Sequence, residues 1–152
     1  MSLIIATGSN TGNKLENLCK GKSSLSDHFQ LISESRIYKS EAVDYTNQPF
    51  FLNQVLEFRR PYMEPKSIME HLIQLEIDIG RKKTFDKGPR IIDLDILFLG
   101  TKKINIPTLT VPHPKVFERS FVLLPLRELP FYTELTKKFT FPKSIPFTAI
   151  PI

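Results

Sequence analysis

The chain has 152 residues, 41% hydrophobic and 24% charged, with 21 Lys and Arg against 16 Asp and Glu for a net charge of +5. These proportions suit one folded domain over residues 1–152 and exclude a disordered chain. One cysteine excludes a disulfide scaffold, and no apolar run approaches the roughly 18 residues a membrane-spanning helix requires.

The start, MSLIIATGSN, lacks the basic n-region and the length of a signal peptide, so a cytoplasmic location is expected, with Cys19 as a buried thiol. Leu3, Ile4, Ile5 and Ala6, ending at Gly8, predict a buried strand. A polar turn from Ser9 to Asn13 offers several helix caps. After it Leu15, Leu18, the stem of Lys22 and Leu25 step by three and four, which predicts a helix. A loose alternation from Phe29 to Tyr38 predicts a second strand, and in a third, Phe50 to Arg59, the side chains of Phe50, Leu52, Leu56 and Phe58 share a face. The loop between them, Lys39 to Pro49, is polar, aperiodic and too long for a tight hairpin; such loops often carry function. Pro65 suits the first turn of a second helix through Ile68, Leu72, Leu75 and Ile79, stopped at Gly80.

GPRIIDLDILFLG, Gly88 to Gly100, is the most strand-like run in the chain. The order strand, helix, strand, strand, helix, strand is the split βαβ arrangement. The expected fold is therefore α+β: a ferredoxin-like βαββαβ sandwich, its antiparallel sheet carrying both helices on one face and leaving the other open. C-terminal additions follow: a short strand from Lys102 to Ile106, a Pro-flanked turn, and an apolar stretch from Phe117 to Leu129 that can be helical around Pro125. The Pro- and Phe-rich end predicts an irregular strap.

Charge is concentrated in one place. Between Gly80 and Arg90 the cations Arg81, Lys82, Lys83, Lys87 and Arg90 face a single acid, Asp86, so this stretch holds four of the five net positive charges. A solvated basic loop is the ordinary fate of such a run. Its confinement nevertheless suits a phosphorylated small molecule better than a nucleic acid, which usually meets a broader basic stripe. Next come Asp93 and Asp95, two apart in a strand, projecting from one face roughly 6.5–7 Å apart. Ile92, Leu94, Ile96 and Phe98 take the opposite face and pack on the helices. The spacing alone fits a solvated strand face equally well. Beside the cations, the pair favours a metal-nucleotide site, because two adjacent carboxylates repel unless a cation settles them. All-oxygen ligation selects Mg²⁺, completed by water and phosphate oxygens, over zinc.

VPHPKVFERSFVLLPL adds His113 and Arg119 after a rigid Pro-His-Pro turn, whereas His28 and His71 read as structural or idle. No GxxxxGK[ST] loop or GxGxxG occurs, nor any GxSxG, HExxH or paired CxxC. A nucleotide would be held by side chains and metal, and triad-hydrolase and zinc readings have no support.

The blocks GSNTG, QPFFLN, LEIDIGR, GPRIIDLDIL and VPHPKVFERSFVLLPL occur in that order. With them the chain resembles the 6-hydroxymethyl-7,8-dihydropterin pyrophosphokinase family from Gly8 to Leu123, and GPR-x-x-DLD is the most specific block. The resemblance implies transfer of pyrophosphate from ATP to the hydroxymethyl oxygen of the pterin, giving AMP and the dihydropterin diphosphate in folate biosynthesis. It implies two Mg²⁺ ions on Asp93 and Asp95, with these acids, Arg81 and Arg90 as the catalytic set. ATP would be held by Glu76, Arg81, Lys83, Arg90, His113 and Arg119, and the pterin by Phe51, Phe121 and Asn53 with Ser40, Glu41, Ala42 and Val43. A flat, amide-bearing ring wants aromatic faces and an amide at its edge, although most buried phenylalanines are simply core. ATP and the pterin would be the partners, with no nucleic acid and no membrane, and a monomer is expected.

Three departures from the family's pattern stand out: Lys87 where tryptophan is usual, Lys83 where arginine is frequent, and a Lys39 to Pro49 loop short of the usual Pro and Gly. They imply a lower affinity for ATP, since lysine lacks arginine's bidentate fork. An RNA-binding module is the alternative from another class, because it shares the element order and the basic balance. Against it, no stretch resembles an aromatic RNP1 pattern, and Asp93 with Asp95 would put negative charge in the path of a phosphate backbone. A catalytically silent relative acting as a binding protein is the third reading.

Overall fold

The apolar run that opens the chain becomes the inner strand of a sheet in the computed structural model, which describes residues 1–42, 47–81 and 88–152. Expectations that fall on Val43, Lys83 and Lys87 lie outside the described residues. In chain order the elements are β1 (Ser2–Ser9), α1 (Lys14–His28), β2 (Leu31–Glu34), β3 (Tyr38–Ser40), β4 (Phe51–Arg59), α2 (Pro65–Ile79), β5 (Asp93–Leu99), β6 (Ile104–Ile106), β7 (Leu109–Val111), α3 (Ser120–Leu126), α4 (Tyr132–Lys138) and β8 (Ala149–Pro151). The main sheet runs β5-β1-β4-β3-β8, with β2 also on β4. All of its pairings are antiparallel.

Local chemistry sets the helix ends. The Asn13 side chain caps α1 by accepting the Glu16 N–H at 3.1 Å. Helix α2 starts at Pro65 and stops at Gly80, whose φ of 116° only glycine adopts without strain. Both helices lie on one face of the sheet, where Leu18, Leu25, Ile68 and Leu72 pack against Leu3, Ile5, Leu56 and Phe58. The face of α1 differs from expectation: Asn17, Leu18, Gly21 and Leu25 turn inward, while Leu15 is 49% exposed and Cys19 is exposed rather than a buried thiol. Gly21 explains this. It lets the helix approach so closely that a Cβ there would sit 3.2 Å from Ile92 Cδ1, which fixes the Leu18–Gly21–Leu25 stripe as the contact and rotates Leu15 and Cys19 off it.

Three further expectations are corrected, two of them by backbone irregularities. The strand expected from Phe29 to Tyr38 is split into β2 and β3, both paired with β4. Ser35 sits at the break, fully tied: its N–H donates to Val55 O at 3.0 Å and its Oγ accepts the Val55 N–H at 3.0 Å. The pairing of β5 with β1 skips Leu97, so Phe98 joins Leu97 on the face away from the helices. Phe98 therefore packs among Phe117, Phe139 and Phe141 on the far side of the sheet, not on the helices. The C-terminal end is not an irregular strap alone: it forms α4 and an edge strand, β8, beside β3. No helix among the described residues is long and apolar enough to cross a membrane.

Candidate functional site

Strand register builds the floor of a cleft on the face away from α1 and α2. Across β4, β1 and β5 the residues Asn53, Gly8 and Asp93 form one row, and Val55, Ala6 and Asp95 the next. Aligned residues project to the same side of a sheet. The middle strand offers only a hydrogen and a methyl group there, which leaves a trough beside the two acids. Its volume is about 940 Å³, including space open to solvent. Gly8 has little to spare, since a Cβ would lie 3.3 Å from Asn53 Oδ1.

The acids are not equivalent. Asp93 receives Arg81 Nη1 at 3.1 Å and faces Arg90 Nε at 3.5 Å. Arg81 Nη1 also donates to Glu76 Oε2 at 2.7 Å, and the same oxygen accepts the Leu94 N–H at 2.8 Å. Because β5 is an edge strand, that amide needs a partner from outside the sheet, and Glu76 reaches over from α2 to supply it. Burial raises the Glu76 pKa above the ordinary carboxylate value against the pull of the Leu94 amide and Arg81. Asp95 is raised to about 7, by burial first and then by the charges of Asp93 and Glu76, with Arg119 and Arg90 opposing.

Cationic and imidazole groups surround the pair. The Arg90 guanidinium lies over the Phe51 ring, 5.3 Å from its centre, and its Nη1 donates to Gly88 O at 3.1 Å. Its Nε is buried and makes no hydrogen bond among the described residues; the anion it faces is the Asp93 carboxylate, 3.5 Å away. His113 is anchored by its N–H to Leu97 O at 2.9 Å, and its Nδ1 accepts the Lys115 N–H at 3.1 Å. Burial, reinforced by Arg119, lowers its pKa, so the ring is neutral and carries its hydrogen on Nε2.

Of the residues singled out from sequence, Asp93, Asp95, Arg90, His113 and Arg119 line the cleft, and so do Ser40, Glu41, Phe51, Asn53 and Phe121. Glu76 and Arg81 stand behind β5 and reach the cleft through Asp93. Ala42 is buried and lies off the cleft wall.

Sequence reasoning missed Asn10. Fully buried, it donates Nδ2 to Gln48 Oε1 at 2.8 Å and to Pro49 O at 3.2 Å, and its Oδ1 accepts the Arg90 N–H at 2.8 Å. It thereby holds the end of β1, the approach to β4 and the segment before β5 at one point. The signal for it was slight, an amide directly after a buried strand. Gln54 and Lys115 also line the cleft unannounced.

No group of three or more His, Cys, Asp or Glu among the described residues could hold a metal ion. Two neighbouring carboxylates, the ionised form of one disfavoured by burial and then by its partner's charge, do fit a hard divalent cation that takes the rest of its shell from water and phosphate oxygens, the habit of Mg²⁺.

Fold and cleft together define an α+β protein with a charged, small-molecule-sized site on the second face of an antiparallel sheet, a face expected to be open but partly covered by α3, α4 and the C-terminal aromatics. Residues 4–130 match the family described as 7,8-dihydro-6-hydroxymethylpterin-pyrophosphokinase, and the chain belongs to that family. It is 37% identical over 127 residues to the 2-amino-4-hydroxy-6-hydroxymethyldihydropteridine pyrophosphokinase of Bacillus subtilis, covering 82% of this chain and 75% of that one. It is 38% identical over 129 residues to the folic acid synthesis protein fol1 of Pneumocystis carinii, covering 84% of this chain and 17% of that one. Against that relative and two similar ones, from Dictyostelium discoideum and Arabidopsis thaliana, the chain spans 17–26% of their length. Among solved structures, wild-type Plasmodium falciparum HPPK-DHPS with pteroate superposes with a TM-score of 0.64 at 14% identity, over 84% of this chain and 38% of that one, a likeness of fold.

Proposed function

We propose that this chain transfers the pyrophosphoryl group of ATP to the hydroxymethyl oxygen of 6-hydroxymethyl-7,8-dihydropterin, in folate biosynthesis. The observation that carries the reading is the row geometry of the cleft: Asp93 and Asp95 lie on its floor, with the Arg90 guanidinium beside them, its Nε 3.5 Å from Asp93 Oδ2. The pterin hydroxyl attacks the β-phosphorus of ATP. A new oxygen–phosphorus bond forms as the bond from that phosphorus to the α,β-bridging oxygen breaks; AMP leaves, and the hydroxyl proton ends in solvent.

Each side chain then has a task. Arg90, Arg119 and the Nε2–H of neutral His113 bind phosphate oxygens. Arg81, braced by Glu76, holds Asp93 in place. Asp93 and Asp95 would hold two Mg²⁺ ions, which when bound neutralise triphosphate charge in the transition state. Phe51 and Phe121 would stack on the pterin faces. Asn53, donating Nδ2 to Ser40 Oγ at 2.7 Å, keeps its Oδ1 turned toward Gly8 and the ring edge.

The finer expectations belong to the same proposal: a ferredoxin-like core elaborated at its C-terminal end, a single catalytic domain over residues 1–152, a monomer, and a cytoplasmic site of action. The test mixes the protein with Mg²⁺, ATP and the hydroxymethyl dihydropterin. AMP that appears only with the pterin supports the reading; ADP in its place overturns it.

A further inference from the structure

Beyond residue 130, where the family match ends, the chain returns to β3 and α3, two elements whose residues line the cleft. Strand β8 pairs with β3, placing Ala149 opposite Ser40, Ile150 opposite Lys39 and Pro151 opposite Tyr38. The Ile152 N–H extends the ladder to Ile37 O at 3.0 Å. One residue before β8, Thr148 Oγ1 is hydrogen-bonded to Ser120 Oγ at the start of α3. A small core forms where these segments meet, with Tyr38, Leu124 and Ala149 buried and Phe121 and Ile145 packed against them. The tail thus touches both walls of the cleft at once. It pairs with the strand bearing Ser40, the acceptor of the Asn53 amide, and it shares a small core with Phe121, which also lines the cleft.

We propose that the segment from Ile145 to Pro151 is a positioning element for the pterin: Thr148 and Ile145 fix the separation between the Ser40–Asn53 edge and the Phe121 ring. This inference rests on the proposed function, in which those residues hold the flat ring. A flat ring stacked on Phe121 meets the Asn53 edge only when the separation of the two matches the ring, and neither wall is braced by its own element. Strand β3 is three residues long, and Phe121 sits in the first turn of a seven-residue helix. The tail joins them through one hydroxyl pair, one short ladder and one apolar contact. None of these reaches the acids or Arg90; Arg119 lies over the Phe121 ring, 5.6 Å from its centre, so the KM for ATP moves only to the small extent that this contact shifts.

The test uses steady-state kinetics of the full chain and three variants. Thr148→Val and Ile145→Ala raise the KM for the pterin about fivefold, the order of one lost hydrogen bond or contact. They leave kcat and the KM for ATP within about twofold, since a uniform loss of binding moves KM alone. Thr148→Ser, which keeps the hydroxyl, behaves as the parent. Amide exchange at Lys39–Glu41 and Ser120–Val122 quickens together in Thr148→Val. An unchanged pterin KM with unchanged exchange overturns the proposal, as does a rise of both KM values together. A parent protein that makes no pterin-dependent AMP overturns the functional reading instead, and the exchange comparison still decides whether the tail braces both walls.

Discussion

Asp95 is buried in a row with Ala6 and Val55, and burial first, then the charges of Asp93 and Glu76, raise its pKa from 3.8 to about 7 against Arg119 and Arg90. A folded-state pKa above the unfolded one means that the folded protein keeps a proton the unfolded chain gives up. The associated stability is therefore present at low pH and is lost as pH rises through about 7. Asp95→Asn keeps the shape and removes the charge. In metal-free protein at pH 8 it should raise the Tm by a few degrees, abolish the Tm gain given by Mg²⁺ with ATP, and cut turnover by roughly a thousandfold. Thermal unfolding with and without Mg²⁺, beside an AMP assay, checks all three; a Tm gain from Mg²⁺ that survives the substitution would remove Asp95 from the metal site. Gly8→Ala tests the other end of the trough. Its Cβ meets Asn53 Oδ1 at 3.3 Å, so the amide must give way by a few tenths of an ångström. The expected result is a pterin KM several-fold higher with the ATP KM unchanged. The two acids were legible in the sequence because a period of two puts Asp93 and Asp95 on one side wherever the strand lies. Asn10 was not, because its value lies in Gln48, Pro49 and Arg90, partners 38 to 80 positions away that no local pattern reveals.

The same contrast runs through the elements. Helix α2 was readable end to end, from Pro65 at its first turn to Gly80 beyond its last, since both signals are local. The inward face of α1 was not, because Gly21 earns its place only against Ile92, far along the chain. The bulge at Leu97 was equally hidden: a strict alternation put Phe98 on the helices, and one skipped residue moved it to the opposite core. Gly80→Ala measures the cap itself. Nothing lies within 4 Å of the added Cβ, so the cost is the strained φ alone, about 1 kcal/mol and a Tm lower by roughly 2–4 °C. Glu128, just beyond α3, measures the link from there back to β3. Its carboxylate accepts the Arg36 N–H at 2.8 Å, Arg36 Nε at 3.2 Å and the Tyr38 hydroxyl. Burial pushes its pKa up, but these three donors outweigh burial and hold it below the ordinary carboxylate value. A depressed folded pKa gives stability that is present at neutral pH and lost on acidification through the carboxylate range. Glu128→Gln should flatten the fall in Tm between about pH 5 and pH 3; parallel curves for variant and parent would show that the carboxylate charge is not what the link depends on.

At the scale of the molecule, the sheet separates two apolar cores, one under α1 and α2 and one under α3, α4 and the C-terminal aromatics. The cleft floor belongs to the strands between them, so its geometry depends on both. Glu57 joins the second core to the sheet: 3% exposed on β4, it accepts Ser2 Oγ at 2.9 Å and the Phe131 N–H at 3.0 Å. The Phe131 amide, the first beyond the family match, thus docks the C-terminal addition onto β4, whose register aligns Asn53 and Val55 with the acids. Glu57→Ala leaves two donors without an acceptor, a loss of about 1–3 kcal/mol and a Tm lower by several degrees. Because the strands are shared, the near-ultraviolet signal of the aromatic cluster and the AMP-forming activity should be lost in one transition, at the same lowered temperature. Aromatic signal lost well before activity would instead mean that the C-terminal core folds on its own account and that the cleft owes it little.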